Sequence, residues 1–527
     1  PRREAHIVPP TTNVEDVRTG QPASRSVQQK SIASSCSKEL RGREIAGRLG
    51  VSSGPYATGS RAEMGCSALE EVIVQHQRLA AVCEFVQSMR GRALGADLVD
   101  AAKQSLVDWF AVSIAALSDP APSIVRTQML RWKSQGQASS LYGDRMAAGP
   151  AALVNGTLAH SLDYDDVHLG TAYHASAPTL AAVLAVAQDR GLSEAEFLAA
   201  FVSGFEVGTA MGEGGLGVAL ADRGWHPTGI LGHFSATAAI ATLLGLTRDQ
   251  AAHAFGLAAT QMAGLQASGG SMAKPFHVGK AAMNGVMSAE LAGDGLEAEL
   301  RLLDDPDRGV FGCLFQKSIV PNFDALGNTW QLLRNSFKPY AACQLTHAAF
   351  ETSSSLAQGF RPGGLRGVRA YVNPLAPKVA SRLRPATPME GKFSIPYCVA
   401  LGLKGHRAVP NDFTHERMAD TALLDLTDIV EVVPDERVER WSARIELRYE
   451  DGSTRDARIA AALGSADRPL AWPDLEAKFA ASVEPALGED AKALLAALRS
   501  FEAGGRLAQV AQIIERNRAA LDGLQYR

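Results

Sequence analysis

Between Ala151 and Gln188 the chain carries no lysine or arginine, and most of its residues there are apolar or small. A solvent-facing helix mixes Lys with Glu on its outer side, so a stretch without cations belongs to the interior. Yet within it the nine residues from His160 to His168 hold two histidines and three aspartates, Asp163, Asp165 and Asp166. Acids and imidazoles crowded together without cationic partners raise one another's proton affinity. Folds obtain acids and bases that work near neutral pH in this way. The segment Asn155–His168 is therefore the first candidate for chemistry.

The surrounding pattern is helical. Ala, Leu, Val and Met recur at three- and four-residue spacing from Leu69 to about Leu326, as in Ala101–Leu117, Pro178–Gln188 and Glu194–Met211. Thr247 and Gln250 stand at the N-cap and N3 positions of a capping box. After about Gly327 the texture changes. Residues 368–372 alternate as a strand does, and 443–449 can pair with 454–459 across a turn containing Asp451 and Gly452. From Trp472 the helical pattern returns. The fold class expected is mainly α, with a large all-helical domain built from N- and C-terminal segments and a smaller inserted α/β domain. The boundaries expected are 64–326 for the helical domain, 327–465 for the inserted domain, and 466–527 for the helices that return. A chain of 527 residues exceeds what one core usually serves.

Residues 1–63 lack this periodicity, and their six acids (Glu4, Glu15, Asp16, Glu39, Glu44, Glu63) do not suit a transit peptide. With Met64 standing just before the first convincing helix, they are read as a disordered extension or a non-native start. The formal charge of −4 and the lack of a basic tract argue against a nucleic-acid or anionic-membrane partner. The apolar runs at 179–187 and 235–246 are too short to span a bilayer and are expected as buried helices. Six cysteines without a C-x-x-C pair point to free thiols in a cytoplasmic setting, with no zinc ribbon and no usual iron–sulfur spacing.

Pattern matches need their context. Gly212, Gly214 and Gly217 satisfy G-x-G-x-x-G, but a helix rather than a strand precedes them, which excludes a dinucleotide fingerprint. The acidic segment has two readings. On a continuing helix His160, Asp163 and Val167 share a face; the group is then either a carboxylate–imidazole metal site or a metal-free acid/base site, and spacing does not choose. His174 and His226 sit beside turns and small residues that leave room for a ligand. Lys274 precedes Pro275, which should hold it extended, ahead of a small-residue helix at 281–285 and close to His277 and Lys280. Lys338 and Tyr397 also lie beside turn or small residues.

Five blocks, at 155–168, 226–229, 274–279, 337–343 and 392–397, occur in an order that resembles the MmgE/PrpD family over roughly residues 70–500. That family includes 2-methylcitrate dehydratase, cis-aconitate decarboxylase and iminodisuccinate epimerase. The resemblance implies a homodimer in which the smaller α/β domain, 327–465, is a lid on the helical domain, and which uses neither a metal nor an organic cofactor. It matches Asp163 to an active-site carboxylate and His174 to an acid/base, with His226, Lys274, Lys338 and Tyr397 lining the substrate site; His168 and His277 join them as substrate-binding candidates. Two positions depart from the family's pattern. Ala175 follows His174 where Pro is common, and Val167 replaces the Thr of the decarboxylase branch. The function expected is a cofactor-independent hydro-lyase on a small di- or tricarboxylate, 2-methylcitrate dehydratase-like. It would act by proton abstraction α to a carboxylate, with Lys274 and Lys338 on substrate carboxylates, Asp163 assisting His174, and His226 or Tyr397 as the catalytic counterpart on the leaving group or opposite face. The alternatives are an epimerase of an imino- or amino-dicarboxylate, a decarboxylase, a non-enzymatic dicarboxylate-binding protein and a metal-dependent hydrolase.

Overall fold

Small residues decide how the central helices meet. The computed structural model describes residues 66–315, 321, 323–380, 382–465 and 467–524, so the reading of 1–63 lies outside the described residues. Residues 68–527 form one compact unit, predominantly helical with small sheets. Its centre is made by α1 (Ala96–Ala115), α2 (Ala148–Ser161), α3 (Ser176–Arg190), α4 (Glu194–Gly212), α5 (Pro227–Leu244) and α6 (Ala273–Gly293). Helix α2 is buried along nearly its whole length, as a helix apolar or small on all sides must be. Helix α6 lies against α2, α3 and α5. A Cβ on Gly279 would overlap the Leu153 carbonyl and the Thr157 hydroxyl of α2, and one on Gly285 would overlap Ala236 of α5. The cation-free stretch is thus interior, and α5, though long and apolar enough to cross a membrane, has 94% of its span buried inside the protein.

The G-x-G-x-x-G run has a steric purpose here. Gly214 and Gly215 take positive φ in the turn after α4, while Gly212 and Gly217 allow close approach to Thr171. The Thr247–Gln250 capping box forms as expected and opens the helix Arg248–Ala259.

The later part of the chain forms a four-stranded sheet from β1 (Leu365–Val372), β2 (Val430–Pro434), β3 (Ala443–Tyr449) and β4 (Thr454–Ile459), in the order β2-β1-β3-β4. Strand β1 pairs parallel with β2, and the β3–β4 hairpin is antiparallel. Ala443, Ile445, Leu447 and Tyr449 point inward on β3, beneath α7 (Gln344–Ser355), which packs against α8 (Ile395–Leu403). Helix α9 (Trp472–Leu487) returns to pack on α1.

Two local expectations fail. The helix does not continue through the acidic segment: α2 ends at Ser161, and Asp163 adopts φ +52°, so His160, Asp163 and Val167 share no helical face. Lys274 is not held extended before Pro275. Helix α6 starts at Ala273, eight residues earlier than the small-residue pattern suggested, and the proline sits in its first turn, where a missing N–H costs nothing. A Gly279→Ala substitution should destabilise the protein by about 1–3 kcal/mol through overpacking. Gly149→Ala, whose Cβ would meet only Met283 Cγ at 3.7 Å, should be neutral or mildly stabilising; denaturant unfolding of both variants checks the contrast.

Candidate active site

The end of α2 and the loop after it bring the acidic segment to three other parts of the chain. The left-handed conformation at Asp163 costs a non-glycine residue about 1–3 kcal/mol, so the surroundings must hold it. They do so with ammonium groups. Lys274 Nζ, from the first turn of α6, lies 2.5 Å from Asp163 Oδ1. Lys338 Nζ donates to the Asp163 carbonyl at 2.8 Å and lies 3.3 Å from Oδ2. Burial opposes the charge on Asp163, but Lys274 and Lys338 overcome it and keep its carboxyl below the usual carboxylate range. Two further lysines grip the neighbouring carbonyls. Lys392 donates to Leu162 O and Lys478 to Tyr164 O, each at 2.8 Å. Three consecutive carbonyls, those of Leu162, Asp163 and Tyr164, therefore each accept from a different buried lysine.

Reversing the chain at Asp163 sends Asp165 to a second, imidazole-lined group. His160 Nδ1 lies 2.7 Å from Asp165 Oδ2, and His174 Nδ1 lies 3.2 Å from the same oxygen, without the alignment of a hydrogen bond. Burial first, and Lys274 next, push the His160 imidazole down to about 3. His160 is accordingly neutral, its Nδ1–H donates to the Asp165 carboxylate, and its buried Nε2 has no partner among the described residues. The rings continue as a row. His160 meets His174 edge-on at 4.7 Å and stacks on His226 at 5.5 Å, and His226 Nδ1 lies 3.2 Å from His277 Nδ1. His226 owes its extended backbone to Pro227, and it stands at the N-cap position of α5 with its side chain left free of a capping bond. Burial and the nearby Lys274 also keep His226 and His277 below the ordinary imidazole range. The His174 side chain is 13% exposed and that of His160 is 0%, so His174 is the Asp165-linked imidazole that a solute can reach.

The loop between them is tightly tied. Val167 pairs with Ser336 and His168 with Tyr173 in short antiparallel bridges. Asp166 accepts from Ser176 Oγ and from Asn335 Nδ2, and burial, reinforced by Asp108, pushes its carboxyl up to about 7. The His174 amide donates to Thr228 Oγ1 at 3.2 Å, which fixes the turn where Ala175 replaces proline.

The structure thus brings Asp163, His174, His226, Lys274, His277 and Lys338 together. It does not bring His168 or Tyr397 to them. The His168 ring turns to Thr171 and lies edge-on to Phe205, and the Tyr397 hydroxyl donates to the Asp412 carbonyl at 2.9 Å. The carboxylate beside His174 is Asp165 rather than Asp163, because the left-handed turn separates the two. His160, Asp165 and Lys392 are participants that sequence reasoning missed. The first two lay inside the segment it singled out, and Lys392 opened a block read only for its tyrosine.

His160, Asp165 and His174 offer ligand atoms within 4.8 Å of one another, the spacing of a possible metal site. Two tetrahedral zinc ligands lie roughly 3.3 Å apart, given bonds of about 2.0–2.1 Å. The 2.7 Å between His160 and Asp165 is instead a hydrogen-bond distance.

Comparison with known proteins gives the family to which the chain is similar. A family model of the MmgE/PrpD N-terminal domain matches residues 80–321, and one of the MmgE/PrpD C-terminal domain matches residues 340–502. A cis-aconitate decarboxylase-like protein, oryM, of Aspergillus oryzae is 27% identical over 76% of this chain and 89% of its own length. Cis-aconitate decarboxylase of Aspergillus terreus is 25% identical over 73% of this chain and 84% of its own. The human cis-aconitate decarboxylase is 25% identical over 69% and 79%.

The buried neutral imidazole sets a pH dependence. His160 takes up its proton near pH 6.5 when unfolded and only near 3 when folded, so its contribution to stability is complete above about pH 6.5 and is lost as pH falls. Between pH 6.5 and 5, the stability of the wild type should fall more steeply than that of His160→Gln, the extra slope growing from about 0.7 towards about 1.4 kcal/mol per pH unit. Denaturant titrations across that range measure the difference.

Proposed function

The chain belongs to the MmgE/PrpD family, and on that footing we propose that it is a lyase of small di- or tricarboxylates, working without metal or organic cofactor. The observation that carries the reading is the juxtaposition of two charge systems. Lys274 and Lys338 bring two ammonium groups against one carboxylate, a surplus suited to an anionic substrate. Beside them His174 is linked to an ionised Asp165 and reachable from outside. Reactions α to a carboxylate build negative charge on carbon, and fixed ammonium groups stabilise it as it forms.

In the leading form of this proposal the substrate is an unsaturated tricarboxylate of the cis-aconitate kind, as the names of the relatives suggest. The bond from carbon to one carboxylate breaks, carbon dioxide leaves, and the electron pair stays on carbon, delocalised toward a carboxylate held by Lys274. His174 then delivers a proton to that carbon and recovers one from solvent, with Asp165 stabilising the imidazolium in between. The second form is dehydration of a 2-methylcitrate-like hydroxy acid. Val167 favours it, because this chain has no hydroxyl where the decarboxylase branch carries threonine. There His174 would take the α-proton and pass it to the departing hydroxide, which leaves as water, with the neutral His226–His277 pair hydrogen-bonding the leaving oxygen.

Two further elements belong to the same proposal. The segment 327–465 acts as a lid, a role supported by Lys338 and Lys392 reaching the turn at Leu162 and Asp163. The working unit is a homodimer, supported by exposed Phe276, Met287 and Leu291 spaced along one helix, α6. Light scattering reads the second directly.

Proton NMR in deuterated water, with chelator present and with cis-aconitate and 2-methylcitrate offered separately, tests the chemistry. Solvent deuterium on the carbon that lost carbon dioxide, or loss of water from 2-methylcitrate with its α-proton released to solvent, is the expected result, and His174→Ala and Asp165→Asn should each lower kcat by roughly 10²-fold or more. Turnover that appears only after a divalent metal is added would reject the metal-free reading.

A further inference from the structure

We propose that Lys478, together with its buried counter-ion Asp108, is a positioning residue for this site, fixing the Tyr164 carbonyl so that Asp163 and Asp165 are delivered to their separate partners. The inference rests on the reading of those two carboxylates as an acid/base centre, and it adds a residue that none of the sequence blocks contains.

Lys478 is anomalous where it stands. On the amphipathic helix α9 it shares the inward side with Leu475, Phe479 and Val483, and it is 6% exposed. Asp108 is equally misplaced by composition, on α1 among Leu106, Val107, Trp109 and Phe110, and it is also buried. The two meet at 2.6 Å. Burial raises the carboxyl of Asp108 and lowers the ammonium of Lys478, while each partner works against that shift by favouring the other's charged form. Buried pairs of this kind can often be replaced by apolar side chains of similar volume without loss of stability. Core packing alone therefore gives no reason for a lysine here.

The remaining contacts of the ammonium supply one. It donates to Tyr164 O at 2.8 Å and lies 3.8 Å from the centre of the Tyr164 ring, so it holds that residue by backbone and side chain together. Tyr164 stands between the two site carboxylates. Asp163 before it goes to Lys274 and Lys338, and Asp165 after it goes to His160 and His174. Lys392 and Lys338 hold the two preceding carbonyls, and Lys338 touches the Asp163 carboxylate as well. Lys478 has no direct contact with a site carboxylate, so it acts through Tyr164.

The decisive comparison is between two double variants of the full chain. Asp108→Leu with Lys478→Met removes the pair and its grip together. Asp108→Asn with Lys478→Gln keeps an amide donor facing Tyr164. The apolar pair should unfold close to the wild-type temperature, yet lose roughly tenfold or more in kcat with little change in KM, the mark of lost alignment rather than lost binding. Its amide hydrogens in the segment 160–168 should also exchange faster. The polar pair should recover much of both. Wild-type kcat and wild-type exchange in the apolar pair would overturn the proposal, and so would losses that merely track a lowered unfolding temperature in both variants. If the apolar pair does not fold, faster exchange of 160–168 in Lys478→Arg supports the grip and unchanged exchange rejects it. If the wild type turns over no carboxylate, the proposed function fails. Exchange at 160–168 and the ¹⁵N shifts of His160 and His174 then decide the positioning role without it.

Discussion

A single carboxylate held between ammonium groups organises this molecule. Asp163 occupies a backbone conformation that a non-glycine residue does not choose, and it keeps that conformation because Lys274 and Lys338 reach it from two other regions of the chain. Removing the charge would leave two buried ammonium groups without their partner, a larger loss than the turn itself represents. The turn also directs the residues after it. It ends α2, reverses the chain, and sends the next carboxylate, Asp165, to the imidazoles. Ion pairing and acid/base geometry are thus two outcomes of one backbone reversal.

Much of this was legible in the sequence, for physical reasons. A stretch without cations had to be interior, and an interior cluster of acids and histidines had to be compensated by groups brought from elsewhere. The blocks around His226, Lys274 and Lys338 supplied them. The strand alternation at 443–449 and the capping box at Thr247 are local signals, and local signals were read correctly. The failures were of conformation. Asp163, Tyr164, Asp165 and Asp166 carry no glycine or proline to announce a helix end, so helical periodicity was extended through a turn that only tertiary contacts stabilise. The resemblance, in turn, set Asp163 beside His174, whereas the carboxylate that lies next to that imidazole is Asp165. Tyr397 was placed by its block alone, and its hydroxyl is satisfied by Asp412 within the same region of the chain. Lys478 gave no signal, because a lysine in an amphipathic helix ordinarily faces water.

The electrostatics divide into two kinds of group. Asp163 is ionised because cations surround it, whereas His160, His226 and His277 are held neutral by burial and by Lys274 close at hand. A substrate that brings negative charge beside Lys274 would offset the very group that suppresses those imidazoles. Binding and proton affinity are therefore coupled in this site through Lys274.

The origins of the groups that hold the acidic turn carry a consequence for how the protein is made. Lys478 lies 314 residues beyond Tyr164. At a synthesis rate of about 5–20 residues per second, the turn waits roughly 15–60 s on the ribosome before its last clamp is translated. During that interval the helices carrying His160 and Lys274 can already pack, but the turn between the carboxylates is held by only part of its final set of donors. The site is consequently among the last parts of the molecule to be completed, so a chain interrupted before α9 would carry most of its acid/base groups without the means of aligning them.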